Sequence, residues 1–427
     1  MTNAIKPRER SRILKSLKVG VVPNQGAHHY QVGRAQEVKA IIKDLNDLVE
    51  GGTCLRFLIG DYGSGKTFLL SLTKGIAHQK NLCVCNADLS PSRRLYSSSG
   101  HGRALYAELI RNLSTRQKQT GDALQGVIER FLLKNNLEGN LESKLEKIGD
   151  FALGFDFITV MKSYKKAFES GDNELKMASL RWLRGEYTTK TDAKQSLGVR
   201  NIISDTNYYD ALKVLSAFIV LAGYKGLLIH LDEMVNILRI SQTQIRKNSY
   251  EELLKMVNDM MQSNLSNIGI YFSGTPEFLT DERRGLYTYE ALKSRLQENE
   301  FTKEKLFDEA HPVIRLNPLT SEEIYNLVVR IGEIYDSNGD LRIKSDKKLI
   351  TGFLQYCNKK LGAEIFTSPR NVIRSYLNLR DALETNKDSS LKKLLNGIEI
   401  KPDINPLLDA PDLSEEDADL KDFSLNS

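Results

Sequence analysis

Gly60-Asp61-Tyr62-Gly63-Ser64-Gly65-Lys66-Thr67 constrains this chain more than any other stretch. It is a complete G-x-x-x-x-G-K-[ST], preceded by the apolar run Thr53–Ile59 and followed by Phe68-Leu-Leu-Ser-Leu72. Strand, glycine loop and helix in that order form a phosphate loop. Its glycines let successive N–H groups wrap around an anion, and the helix N-terminus adds fixed positive potential. Lys66 then reaches the β- and γ-phosphates and the Thr67 hydroxyl can ligate Mg²⁺. ATP and Mg²⁺ are therefore the expected cofactors, with residues 60–68 as the loop that holds them.

The loop sits in an α/β pattern. Strand character recurs at Thr53–Ile59, Leu82–Asp88, Gly226–Leu231, Ile268–Ser273 and Val313–Leu316, with helix-like segments between the first four. That alternation predicts a parallel sheet covered by helices. The interval from the second to the third strand is far longer than a crossover needs, and a helical insertion is expected over about 115–205, with helices such as Gly121–Leu133 and Leu141–Ala152. After the fifth strand, Thr320-Ser-Glu-Glu323 reads as a capping box opening a helix. A second helix is expected over Lys347–Lys360 and a third from Ser368-Pro369, making residues 320–400 a small helical domain. At 427 residues the chain has room for a core over 31–319, this lid, a basic arm over 1–30 and an acidic tail from 401.

Charge is unevenly spread. Residues 403–427 carry eight acids against Lys421, so a chain of net +5 has a basic body and a tail of −7, expected to be flexible. A basic body is compatible with DNA as partner. Residues 1–20 carry six cations against Glu9, either as a solvated leading helix or as an arm touching phosphates. Cys54, Cys83, Cys85 and Cys357 form no C-x-x-C pair, which argues against zinc and disulfides. No leader-like apolar stretch follows the basic start. The most apolar segment, Val214–Leu231, is broken by Lys225-Gly226, so a membrane span is not expected and the cytoplasm is the expected location.

A phosphate loop needs acids on a neighbouring strand, and Gly226-Leu-Leu-Ile-His-Leu-Asp232-Glu233 supplies them. Asp232 would hold the metal, and Glu233 would polarise the attacking water. His230 reads as structural. The fourth strand ends in hydroxyls, Thr275 first and Ser273 as fallback, where a γ-phosphate sensor would sit. Arg295 lies on a short helix before the fifth strand, and Arg370 in the first turn of a lid helix, where the dipole disfavours a cation unless an anion joins it. Trp182, within Leu-Arg-Trp-Leu-Arg-Gly-Glu186, suits a half-buried helix better than a base-stacking platform.

Taken together, Val32-Gly33-Arg34, the phosphate loop, Asp232-Glu233, the polar strand end, Ser294-Arg295-Leu296 and Ser368-Pro369-Arg370 resemble the AAA+ ATPases, nearest the origin-recognition branch. The resemblance implies sheet order 5-1-4-3-2, a helical lid and adenine binding near Val32, Gly33 and Arg34. It also implies Thr275 as first sensor, Arg295 as a finger completing a neighbour's site in a homo-oligomer, and Arg370 as second sensor. A closer resemblance, over most of 10–385, is to the BrxD-type ATP-binding proteins of bacteriophage-exclusion (BREX) and related bacterial defence loci. It rests on Ser16-Leu-Lys-Val-Gly-Val-Val-Pro23, Gly51-Gly52, Gly63–Phe68, Asp88-Leu-Ser-Pro91 and Trp182–Glu186. It implies other defence proteins as partners.

Two functions follow. One is an ATPase whose lid movement loads or remodels a DNA-associated defence complex. The other is a slow, non-cycling ATP switch that serves as a protein-docking module.

Overall fold

The computed structural model describes residues 5–138, 141–262, 265–298, 307–337, 341, 343–365, 368–386 and 394–395. The expected acidic tail lies outside them. The described residues divide into two compact units: those within 5–39, 58–75 and 314–395 form the first, and those within 40–57 and 76–313 the second.

Five strands form one parallel sheet: β1 (Thr53–Ile59), β2 (Cys83–Asp88), β3 (Leu227–Asp232), β4 (Ile268–Gly274) and β5 (Val313–Arg315). Their order is β2-β3-β4-β1-β5, which reads 5-1-4-3-2 from the β5 edge. Every residue of β3 and β4 is buried, as expected where helices cover both faces of a parallel sheet. In register, Cys83 lies opposite Leu227 and Asp88 opposite Asp232, so β2 and β3 finish level with each other in an acid each. Strand bounds differ from those read in the sequence by a residue or two. Leu82 falls outside β2 because its N–H still bonds Ala77 O, the end of the preceding helix.

Between β2 and β3 the second unit carries helices Leu124–Glu138, Leu141–Glu146, Gly154–Ser170, Asn173–Leu183 and Lys190–Leu197, then Tyr208–Leu221 leading into β3. The first begins three residues later than the expected Gly121, because Gly121 (φ 106) and Asp122 (φ 54) are left-handed. The second stops at Glu146 instead of Ala152: Ile148 and Gly149 bond back three residues to Leu145 and Glu146, and the chain turns. Apolar side chains tie this insertion to Tyr208–Leu221, with Phe131 and Phe157 ring centroids 5.0 and 5.2 Å from Phe218. Trp182 is buried here and donates Nε1–H to Asn201 O at 2.9 Å, so it is core and presents no stacking surface.

In the first unit, helix Ser321–Asp336 begins at the expected capping box: Glu323 N–H donates to Thr320 Oγ1, and Thr320 N–H to Glu323 Oε2. Helix Lys347–Ile365 follows, then Pro369–Thr385 with Ser368 at the cap position. The basic leading segment forms helix Pro7–Lys18, and its apolar face, Ile13, Leu14 and Leu17, is buried in one cluster with Ile324, Val328, Ile331, Ile373 and Leu377. Its cations stay at the margin of that cluster: Lys18 pairs with Asp381 and Arg10 donates to Tyr335 O at 3.0 Å. Among the described residues no helix is long and apolar enough to cross a membrane.

Candidate functional site

The phosphate loop belongs to the first unit. β1 ends at Ile59 and the next helix starts at Lys66, so Gly60–Gly65 make the turn between them. Gly63 (φ 80) and Gly65 (φ 98) take left-handed backbone that a side chain would strain. A Cβ on Gly60 would come within 2.6 Å of Ser64 Oγ and 3.0 Å of Leu316. The cradle is thus closed around backbone. Ser64 Oγ is buried without a hydrogen-bond partner among the described residues. Lys66 Nζ donates to Gly60 O at 2.7 Å and Asp61 O at 2.9 Å, which holds the ammonium across the loop. Thr67 is exposed in the first turn of the helix. Backbone amides at a helix start, one ammonium and one hydroxyl make a donor set that fits a nucleotide polyphosphate.

The other residues expected around the nucleotide gather in the same unit. Arg34, in left-handed backbone, donates to Ser64 O at 3.1 Å and Asn317 O at 2.6 Å and pairs with Glu37. It therefore braces the loop through a carbonyl. Gly33 (φ 60) passes so close to Glu323 that a Cβ would collide with its carboxylate, and Val32 and Phe68 both pack against the apolar cluster of this unit. Phe68 in turn lies 5.2 Å from the Tyr30 ring. Arg370, from helix Pro369–Thr385, stands over the Tyr62 ring with its guanidinium 4.7 Å from the centroid.

The acids and strand-end hydroxyls lie in the second unit. Asp232 is buried at the carboxyl end of β3, where it accepts hydrogen bonds from Ser273 Oγ and from Glu233 N–H at 2.8 Å. Those two donors fix the orientation of its carboxylate. Glu233 adopts φ 58, ψ 41, left-handed backbone that ends β3 and opens the short 3-10 helix Met234–Ile237. Thr275 is buried, with its hydroxyl unpartnered among the described residues. Ser273, the fallback, is the hydroxyl that engages Asp232. Arg295 is exposed and ties to Asn258 Oδ1 at 2.8 Å and to Ala291 O of its own helix at 2.6 Å. His230 is buried against Tyr271, with ring centroids 5.8 Å apart.

Two residues beside the strand-end acids were not among the expected site residues. Asp88 ends β2 level with Asp232; an acid closing each of two strands of similar length was the available signal. Asn236 donates to Leu89 O and to Glu233 O, pinning the turn after β3, and no motif marks it. Tyr62 was expected as part of the loop, but its meeting with Arg370 was not, since the motif speaks only for that residue's backbone.

A family model described as BREX system ATP-binding protein BrxC/D matches residues 5–399. The chain belongs to that family. ATP binding and a place in BREX follow from membership. A second, local likeness is to the methyl-accepting chemotaxis protein CtpM of Pseudomonas aeruginosa, 30% identical over 107 residues. It covers 25% of this chain and 18% of that protein, so the chain spans under a fifth of that relative's length.

Proposed function

We propose that this BREX protein is an AAA+-type ATPase of the cytoplasm that converts ATP and water to ADP and phosphate and passes the resulting lid movement to a DNA-associated defence complex. The observation that carries the reading is the gathering of the phosphate loop, Arg34 and the lid's Arg370 in one compact unit.

Each residue has a part. Amides of Gly60–Gly65 bind phosphate oxygens, Lys66 offsets β- and γ-phosphate charge, and Arg34 keeps the loop in shape through Ser64 O. Val32 and Phe68 supply apolar surface suited to a base. Thr67 and Asp232 are the residues that would hold Mg²⁺, whose chemistry there is to neutralise charge on the phosphate oxygens. Glu233 orients the attacking water and accepts its proton. Thr275, a buried hydroxyl with a bond to give, senses the γ-phosphate. Arg370 draws the lid toward negative charge and relaxes when that charge falls. Arg295 completes a neighbouring copy's site. The basic body supports DNA contact.

Turnover assays with and without DNA, paired with nucleotide titrations, test this. Glu233→Gln is expected to keep ATP affinity within a few fold and lose turnover by about a hundredfold or more. Lys66→Ala is expected to lose both. Parental turnover in Glu233→Gln would remove Glu233 from the chemistry. Slow single turnovers indifferent to DNA, with ATP-dependent partner capture, would replace the motor by the docking switch.

A further inference from the structure

Arg370 differs from Arg34 and Arg380 of the same unit. Arg34 pairs with Glu37 at 3.3 Å and Arg380 with Asp336 at 2.8 Å. Among the described residues no carboxylate or carbonyl engages the Arg370 guanidinium; its partner is the face of Tyr62, 4.7 Å away. The stem is confined as well: a Cβ placed on Gly20 would lie 3.5 Å from both Cγ and Cδ, which is ordinary contact distance. A guanidinium held over a ring face spends none of its N–H donors on that contact, which leaves them available to an anion. The ring belongs to the phosphate loop itself, two residues after Gly60, at a position where the motif accepts any side chain.

We propose that Tyr62 is a positioning residue for the lid arginine. Its ring seats Arg370 at the phosphate loop, and the seated guanidinium distinguishes a nucleoside triphosphate from a diphosphate. This rests on the ATP-binding reading of the same loop. An unseated arginine samples many rotamers and gives up part of its phosphate contact to ordering. The ring removes that cost before the nucleotide arrives.

The test is equilibrium binding of a non-hydrolysable ATP analogue and of ADP to the full chain and to Tyr62→Ala, Tyr62→Phe, Arg370→Ala and the double variant Tyr62→Ala/Arg370→Ala. Tyr62→Ala is expected to lower the analogue-to-ADP affinity ratio about two- to fivefold, the factor a cation–π contact supplies, with ADP affinity unchanged. Tyr62→Phe, which keeps the ring, is expected to restore the ratio. The double variant is expected to be no worse than Arg370→Ala, because the ring acts only through the arginine. Additive losses, or a phenylalanine as poor as alanine, would overturn the proposal. A parent chain that binds nucleotide without hydrolysing it would sink the motor reading alone and leave the affinity cycle to decide this one. A parent that binds no nucleotide would sink both.

Discussion

Arg56 shows how much one side chain can hold in place. It sits inside β1, nearly excluded from solvent, and grips Asp44 with two hydrogen bonds of 2.6 Å, while His311 O and Glu309 O take further donors at 2.6 and 2.9 Å. Tyr271 donates to the same carboxylate at 2.7 Å. Breaking such a pair from one side strands a charge, whereas replacing both partners does not. Asp44→Ala is therefore expected to destabilise the protein by about 3–5 kcal/mol in denaturant melts. Asp44→Leu/Arg56→Met is expected to recover most of that loss. A single variant as stable as the parent would mean that water reaches the guanidinium. The sequence marks Arg56 as an oddity in a strand but not its partner twelve residues earlier, since strand periodicity is silent about what faces it. Tyr62 and Arg370 were hidden for the same reason: each is legible, yet their meeting depends on tertiary packing.

Elements were legible where local chemistry and pattern agree. The phosphate loop, five buried strands and the Thr320 capping box could be read because each couples a short-range rule to its neighbours. The insertion was legible as helical, but its boundaries were not, since left-handed backbone at Asp122 and the turn after Glu146 leave no periodic trace. The leading segment was legible as basic. Its burial could not be, because Ile13, Leu14 and Leu17 find their partners near the other end of the chain.

Inside the insertion, Glu129 on helix Leu124–Glu138 receives Lys176 Nζ at 2.9 Å, Gln125 Nε2 at 2.9 Å and Tyr164 OH at 3.1 Å. Partial burial pushes its carboxyl up, but these hydrogen bonds outweigh burial and hold it below its ordinary value. A carboxyl lowered by folding contributes stability above its unfolded value, lost as pH falls through the folded one. Glu129→Gln should thus melt lower than the parent at pH 7, and the gap should close as pH drops below about 4. A gap constant with pH would locate the effect in packing.

At the scale of the whole molecule, the exposed Arg295 decides whether one copy suffices. If it serves a neighbour, turnover per chain rises with protein concentration and sizing with ATP shows an assembly. Arg295→Ala then loses turnover by about 10³-fold while retaining ATP affinity. Turnover independent of concentration, unaffected by the substitution, would describe a self-sufficient monomer.

The helix Pro7–Lys18 has a consequence in time. Lys18 and Asp381 are 363 residues apart, and the apolar cluster they flank draws on both ends of the sequence. During synthesis at about 5–20 residues per second, that leading helix leaves the ribosome roughly 20–70 s before its partners exist. Ile13, Leu14 and Leu17 must wait with their greasy side uncovered, so a helper that shields nascent chains should matter more for this half than for the other. A segment made early is among the last to find its place.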